Sequence, residues 1–76
     1  MDRAERLAVA VRATVTRIRL EEARRTGRPT AALGDEAIVA ARALAEAWPP
    51  GSPPLLEWIG CTEDEYDQAV QAALDA

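Results

Sequence analysis

Few side chains in this 76-residue sequence could carry out acid–base or nucleophilic chemistry. The chain has no histidine and no lysine, and its one cysteine, Cys61, has no base partner with which it could form a catalytic dyad. Carboxylates are more plentiful, because acidic residues stand together at Glu21 and Glu22 and again from Glu63 to Asp67. Consecutive acids of this kind form a solvated helix surface more often than a metal site. We therefore expect no catalytic residue, no metal, no cofactor and no small-molecule substrate.

The supply of large apolar side chains is too small for a thick core. Hydrophobic residues make up 49% of the chain, but many of them are alanine, which buries little area. A lone cysteine without any histidine excludes an intramolecular disulfide and a Cys/His zinc cluster, so a partner or a second copy is the remaining source of stability. The N-terminal segment alternates apolar residues with arginine, unlike a signal peptide or a membrane span. We expect a cytoplasmic protein that does not bind a membrane.

Capping residues and helix breakers predict an all-α fold, a small bundle of about four helices that forms a single domain over the whole chain. The first helix is predicted near residues 2–26 and ends at Gly27, whose lack of a side chain permits the left-handed conformation of a helix stop. A second helix is predicted to end near Trp48. It begins either at Asp35 or a turn earlier, at Thr30.

A proline-rich connector over residues 48–54 separates the first two helices from the rest of the chain. We expect it to act as a rigid strap, followed by a short helix near 54–59 that Ser52 could cap. The fourth helix is predicted near 63–75. Its start is marked by a capping box from Thr62 to Glu65, in which the side chains and backbone amides at the two ends bind each other.

A tight turn with a small residue between two helices is predicted between Leu55 and Val70. Its key positions are Gly60, Cys61, Thr62, Tyr66 and Val70. This arrangement resembles a helix-turn-helix unit, and the resemblance implies that Gly60 adopts a left-handed turn and that the second helix reads DNA. Any two helices joined by a tight Gly-x-Thr turn would give the same pattern.

The charge of the predicted second helix of this unit argues against DNA reading, because phosphates repel carboxylates. Its first turns carry Glu63, Asp64, Glu65 and Asp67. We interpret these four residues as an acidic docking surface for another protein. An acidic inhibitor that imitates nucleic acid, of the kind that phages encode, is a further alternative.

Charge is divided between two parts of the chain. Eight arginines against four acidic residues give residues 1–28 a net charge of +4, whereas one arginine against nine acidic residues gives residues 29–76 a net charge of −8. Such asymmetry indicates a charged partner or head-to-tail self-association between the basic first helix and the acidic helical part from residue 30 to 76.

The first helix carries two apolar stripes on nearly opposite sides. The stripe expected to pack in the protein's own core consists of Ala4, Leu7, Ala8, Val11, Val15 and Ile18. The second stripe is bordered by arginines and consists of Val9, Ala13, Thr16, Leu20 and Ala23. Because so few large side chains are available to cover both, we expect the second stripe to face water unless another chain covers it.

These patterns predict a small, non-enzymatic regulatory or adaptor protein that binds another protein or forms a homodimer. The predicted protein interface consists of Val9, Arg12, Ala13, Thr16, Arg17 and Leu20. The alternative is a DNA-associated transcriptional regulator whose first helix contacts phosphates. Its predicted nucleic-acid contacts are Arg12, Arg17, Arg19, Arg24, Arg25 and Arg28.

Overall fold

Four α-helices and no strand make up the structure, a computed structural model that describes all residues from Met1 to Ala76. The helices are α1 (Arg3–Arg25), α2 (Ala31–Ala47), α3 (Leu55–Ile59) and α4 (Glu63–Asp75). The prediction of an all-α bundle of about four helices is confirmed. None of the four helices has the length and apolar composition that a membrane crossing requires.

The two ends of α1 are closed by residues next to them in the sequence. The carboxylate of Asp2 accepts a 2.8 Å hydrogen bond from the backbone N–H of Glu5, as an N-cap residue does. At the other end Gly27 is left-handed, with φ of 73°, and the N–H of Arg28 donates to the carbonyl of Ala23 at 2.9 Å. Local capping therefore explains why the predicted and observed bounds of this helix differ by a single residue at each end.

The second helix begins at the earlier of the two predicted starts. Thr30 occupies the N-cap position, its side chain makes no capping bond, and its carbonyl accepts a 2.7 Å hydrogen bond from the N–H of Gly34. The first three residues of α2 are two alanines and a leucine, all strong helix formers, so the helix extends past Asp35 without a side-chain cap.

The connector is folded back on itself rather than extended. The indole N–H of Trp48 donates a 2.7 Å hydrogen bond to the carbonyl of Pro53, and the backbone N–H of Ser52 donates to the carbonyl of Pro49 at 3.2 Å. The prediction that Ser52 caps α3 is wrong, because Pro54 stands at the N-cap position and no side chain caps this helix. Ser52 lies too far upstream and belongs to the turn of the connector.

The core is thin and is built around α1, on which the other three helices all pack. Only eight of the 76 residues are buried. The main cluster joins Ala10 of α1 to Trp58 and Ile59 of α3, and Trp48 packs against it. Trp58 is buried and Trp48 is half-buried, which confirms the prediction that both tryptophans are at least partly buried.

Both apolar stripes of α1 pack within the chain. Val11 and Val15 of the first stripe are buried, but so are Thr16 and Ala23 of the second, at 7% and 1% exposure. The expectation that the second stripe would be left in water is therefore wrong for its centre and its end. The reason is that α2 runs along α1 and brings small side chains to the contact, including Ala40, which is 1% exposed.

Candidate functional site

An open groove lies between α1 and α2. Its volume is about 940 Å³, and the connector from Pro49 to Ser52 lines one end of it. The large apolar side chains along the groove are Leu20 from α1, Ile38 and Leu44 from α2, Trp48 at the start of the connector, and Leu55 from α3. The groove therefore offers apolar surface that the chain does not cover with its own residues.

Small residues of α2 explain why this groove stays open. Gly34, Ala37, Ala41 and Ala45 lie along the groove at helical spacing. A Cβ atom added at Gly34 would meet nothing within 4 Å. Side chains of this size allow α2 to approach α1 at their crossing, but they cannot fill the space beside it.

The charged residues on the groove are both basic. Arg17 and Arg24 line it from α1, and no acidic residue lines it. Neither arginine takes part in a side-chain hydrogen bond or an ion pair, since the two ion pairs of the structure join Arg3 to Glu65 and Arg28 to Glu22. The apolar groove thus carries two positive charges that form no ion pair within the chain.

The structure divides the predicted protein interface between different surroundings. Ala13, Arg17 and Leu20 line the groove. Thr16 is buried and, together with exposed Arg12, borders a separate shallow depression on another side of α1. Val9, the remaining member of the predicted interface, is half-buried.

The arginines predicted to contact DNA do not form one basic surface. Arg12 and Arg19 lie on a different side of α1 from Arg17 and Arg24. Arg17 follows Arg12 by five residues, and Arg24 follows Arg19 by five, so at about 100° per residue the members of each of these pairs point about 140° apart. Arg12 and Arg19 border the shallow depression, whereas Arg17 and Arg24 line the groove. A single phosphate backbone could not lie along both sides of the helix at once.

Two arginines of this set, Arg19 and Arg28, are engaged within the chain. The guanidinium of Arg19 donates a 3.2 Å hydrogen bond to the carbonyl of Ala73 in α4. The guanidinium of Arg28 lies 3.7 Å from the carboxylate of Glu22, and its Nε donates to the hydroxyl of Thr26 at 3.0 Å. Arg25 is exposed and has no side-chain partner.

The acidic docking surface predicted at the start of α4 is exposed, but one of its members is bound within the chain. Glu65 accepts hydrogen bonds from the backbone N–H of Thr62 at 3.1 Å and from the guanidinium of Arg3 at 2.8 Å. These bonds, first that of the Thr62 backbone and then that of Arg3, hold the pKa of Glu65 below its ordinary value. The carboxylates that make no hydrogen bond or ion pair are Glu63, Asp64 and Asp67.

Two arginines at the start of α1 have a structural role that the sequence reading missed. The Nε of Arg3 donates to the carbonyl of Gly60 at 2.9 Å, and Arg6 donates to the carbonyl of Trp58 at 2.7 Å. The guanidinium carbon of Arg6 also lies 5.1 Å from the ring centroid of Trp58, a cation–π contact. A helix of five residues cannot satisfy its own last carbonyls, which was the available signal that donors would be needed at this end of α3.

The turn between α3 and α4 links the short third helix to the capped fourth helix. Gly60 is left-handed, with φ of 85°, and Thr62 and Glu65 form the predicted capping box, so the turn has the geometry that the helix-turn-helix resemblance implies. Cys61 is half-buried between the two helices. No protein-family model, no curated protein and no solved structure matches the chain.

Proposed function

We propose that the chain is a small, non-enzymatic regulatory or adaptor protein that binds a helical segment of another protein in the groove between α1 and α2. The observation that carries the proposal is an uncovered apolar groove edged by Arg17 and Arg24, which have no partner within the chain. Burial of the apolar lining supplies a favourable free energy of binding. The two charges favour partners of the opposite sign and set their orientation.

The chemistry of the groove fits an amphipathic helix that carries acidic residues. Arg17 and Arg24 are seven residues apart on α1, which places them about 10 Å apart along the helix axis at about 1.5 Å per residue. Two acidic residues separated by the same seven positions on a helix lying alongside would face both guanidinium groups. Apolar side chains of the incoming helix, spaced three and four residues apart, would then enter the groove near Leu20, Leu44 and Trp48.

The arrangement of the other charged residues supports a protein partner over nucleic acid. The candidate phosphate contacts on α1 lie on different sides of the helix, and Arg19 and Arg28 bind groups of the chain itself. Imitation of nucleic acid by α4 is also weakened, because Glu65 is used to hold Thr62 and Arg3. A partner that needs two basic residues and an apolar groove requires none of these groups.

A titration followed by nuclear magnetic resonance tests the proposal. The probe is an amphipathic helical peptide with glutamates seven positions apart, and the control peptide carries lysine in their place. We expect the indole N–H resonance of Trp48, which lines the groove, to shift with the acidic peptide, while that of buried Trp58 stays in place. Equal binding of the two peptides, or no binding of the acidic one, would contradict the proposal.

Two charge reversals on the same helix provide the matched comparison. Arg17→Glu should weaken binding of the acidic peptide about tenfold, because it replaces an attraction by a repulsion. Arg12→Glu changes an exposed arginine that does not line the groove, and it should leave the affinity unchanged. If both variants lose affinity equally, net charge rather than the groove is responsible.

Labelled duplex DNA gives the third measurement. The proposed function predicts no retardation of the duplex at moderate salt. A complex whose affinity falls steeply as salt rises would instead indicate phosphate contacts and favour the alternative of a DNA-associated regulator.

A further inference from the structure

One face of α2 is exposed along the whole length of the helix, and it is distinct from the side that packs on α1. This outer face consists of Ala31, Asp35, Ile38, Val39, Arg42 and Glu46, all of them exposed. Their spacing of four, three, one, three and four residues places them on a single side of a helix.

The middle of the outer face is apolar. Three large hydrophobic residues of the chain are exposed, and two of them are neighbours there, Ile38 at 52% and Val39 at 55% exposure. Isolated exposed hydrophobic residues are common on protein surfaces and need no explanation. Two adjacent ones at the midpoint of a helix form a continuous apolar spot, which favours contact with another surface.

Two of the three charged residues of the outer face, Asp35 and Arg42, lie symmetrically about this spot. Arg42 is the one arginine after Arg28, and it makes no hydrogen bond or ion pair within the chain. Asp35, also without an ion pair, lies seven residues before it. The point midway between Asp35 and Arg42 falls between Ile38 and Val39, at the centre of the apolar spot.

We propose that the outer face of α2 binds the same face of a second copy of the chain, with the two helices antiparallel and a two-fold axis passing between Ile38 and Val39. In this arrangement the apolar spots of the two copies meet at the two-fold axis, and Asp35 of each copy faces Arg42 of the other. The charge pairs therefore occur twice, as an isologous interface requires. A parallel arrangement would place Asp35 against Asp35 and Arg42 against Arg42, and repulsion disfavours it.

The outer face is open to a second copy in a way that the predicted interface on α1 is not. Thr16, at the centre of that predicted interface, is buried within the chain. The outer face, by contrast, carries two exposed large apolar residues and three charged residues with no ion pair in the same molecule. Its size sets the expected strength: α2 has 17 residues and is about 25 Å long, so the contact is smaller than a standard interface of about 1,600 Å². The dimer should be weak and should dissociate on dilution.

The dimer and the groove are separate features that different residues test. Asp35, Val39 and Arg42 do not line the groove, although Ile38 lies at the boundary of both surfaces. Peptide binding to the groove can therefore be measured on a variant of Val39 that does not dimerise. If the protein binds the peptide but does not dimerise, the dimer proposal has failed. If it dimerises but does not bind the peptide, the proposed function has failed.

Sedimentation equilibrium over a range of protein concentrations is the first test. We expect the wild type to shift from monomer to dimer as its concentration rises. Val39→Asp should remain monomeric, because the new carboxylate would have to lose its bound water in the apolar contact. Val39 is exposed, so helix content measured by circular dichroism should not change. Ala72→Asp, at an exposed position of α4, is the control and should dimerise as the wild type does.

Exchange of the two charges tests the antiparallel register. Asp35→Arg and Arg42→Asp should each weaken the dimer about tenfold, because each places like charges opposite one another twice. The double variant again places opposite charges facing one another, with their signs exchanged, and it should recover the wild-type dissociation constant. Glu57→Arg is the control and should leave the dissociation constant unchanged, since Glu57 is exposed on α3 and makes no ion pair.

Any one of four results would overturn the proposal. A wild type that stays monomeric at every concentration has no such interface, and a dimer that Val39→Asp leaves intact uses another face. If the single charge reversals leave the dissociation constant unchanged, or if the double variant fails to recover it, the two helices do not meet antiparallel about Ile38 and Val39.

Discussion

The hydroxyl of Tyr66 donates a 3.0 Å hydrogen bond to the carbonyl oxygen of Ala10 and lies 2.7 Å from the hydroxyl oxygen of Thr14. Because the tyrosine proton is directed at Ala10, the hydroxyl of Thr14 is the donor in the second bond. Together the two bonds join the second turn of α4 to the middle of α1, next to the core cluster of Ala10, Trp58 and Ile59. A side chain that the sequence pattern marks as apolar thus also acts as a polar link between two helices.

Removal of this hydroxyl should lower stability without disturbing the packing of the ring. We expect Tyr66→Phe to reduce the free energy of unfolding by about 1 kcal/mol, measured by urea denaturation. Thr14→Val should have a smaller effect, and the two changes together should cost less than the sum, because they share one hydrogen bond. Strict additivity in this double-mutant cycle would show that the two hydroxyls do not interact.

The capping box of α4 gives a second measurable contribution to stability. The hydroxyl of Thr62 accepts the N–H of Glu65 at 3.1 Å, so Thr62→Ala should reduce the free energy of unfolding by about 0.5–2 kcal/mol. Ser52→Ala is the comparison, because Ser52 precedes a helix but caps nothing through its side chain. Its unfolding free energy should stay within about 0.5 kcal/mol of the wild-type value. If the two variants lose the same free energy of unfolding, the side-chain cap of Thr62 does not stabilise α4.

Helix ends were predictable wherever the necessary groups are adjacent in the sequence. Asp2 and Gly27 delimit α1, and Thr62 begins α4, because each of them interacts with backbone groups only a few residues away. The start of α2 was left open between Thr30 and Asp35 because both are residues that favour the N-cap position. The helix begins at the earlier position because its first residues, Ala31 to Leu33, are strong helix formers, although the side chain of Thr30 makes no capping bond.

The candidate site was only partly predictable for a different reason. A helical projection identifies the apolar residues of α1, but it cannot say which of them α2 will cover. Ala13, Arg17 and Leu20 of the predicted interface line one groove, whereas Thr16, which the projection places with them, is buried. The opposite wall of the groove depends on small residues of α2 such as Ala41, whose importance appears only once the helices are packed.

The contacts of Glu65 predict a pH dependence of stability. The backbone hydrogen bond from Thr62 and the guanidinium of Arg3 lower the pKa of Glu65 in the folded protein below its ordinary value of 4.5. A lowered pKa means that the stabilisation is fully present above about pH 4.5 and is lost as the pH falls through the folded pKa. Glu65→Gln should therefore have a lower Tm than the wild type at neutral pH, and the difference should shrink in acid.

The control for this titration is Glu63→Gln, which removes an exposed carboxylate that makes no hydrogen bond or ion pair. Its Tm should follow the wild-type pH profile across the acid range. Thermal unfolding recorded by circular dichroism from neutral to strongly acidic pH provides the comparison. A Tm difference between Glu65→Gln and the wild type that stays constant down to the lowest pH would contradict the assigned role of the carboxylate.

The same acidic substitution should lower the stability of the fold at one position of the second apolar stripe of α1 and leave it intact at another. Thr16 is 7% exposed and its hydroxyl donates to the carbonyl of Arg12 at 2.9 Å, so Thr16→Glu forces an unpaired carboxylate into the helix contact. We expect a loss of at least about 2 kcal/mol, a large part of the stability of a domain this small. Ala13→Glu should leave the fold intact, because Ala13 is half-buried at the groove and a longer side chain can reach water there.

Ala13→Glu should nevertheless affect binding. The new carboxylate would stand four residues before Arg17 on the same helix, where opposite charges pair, and would neutralise one of the two positive charges of the groove. Unfolding curves and titration with the acidic peptide on both variants separate these effects: Thr16→Glu should lose structure, and Ala13→Glu should keep its structure and bind the peptide more weakly. If Thr16→Glu proves as stable as Ala13→Glu, α2 does not cover the second stripe, and the groove between α1 and α2 loses its structural basis.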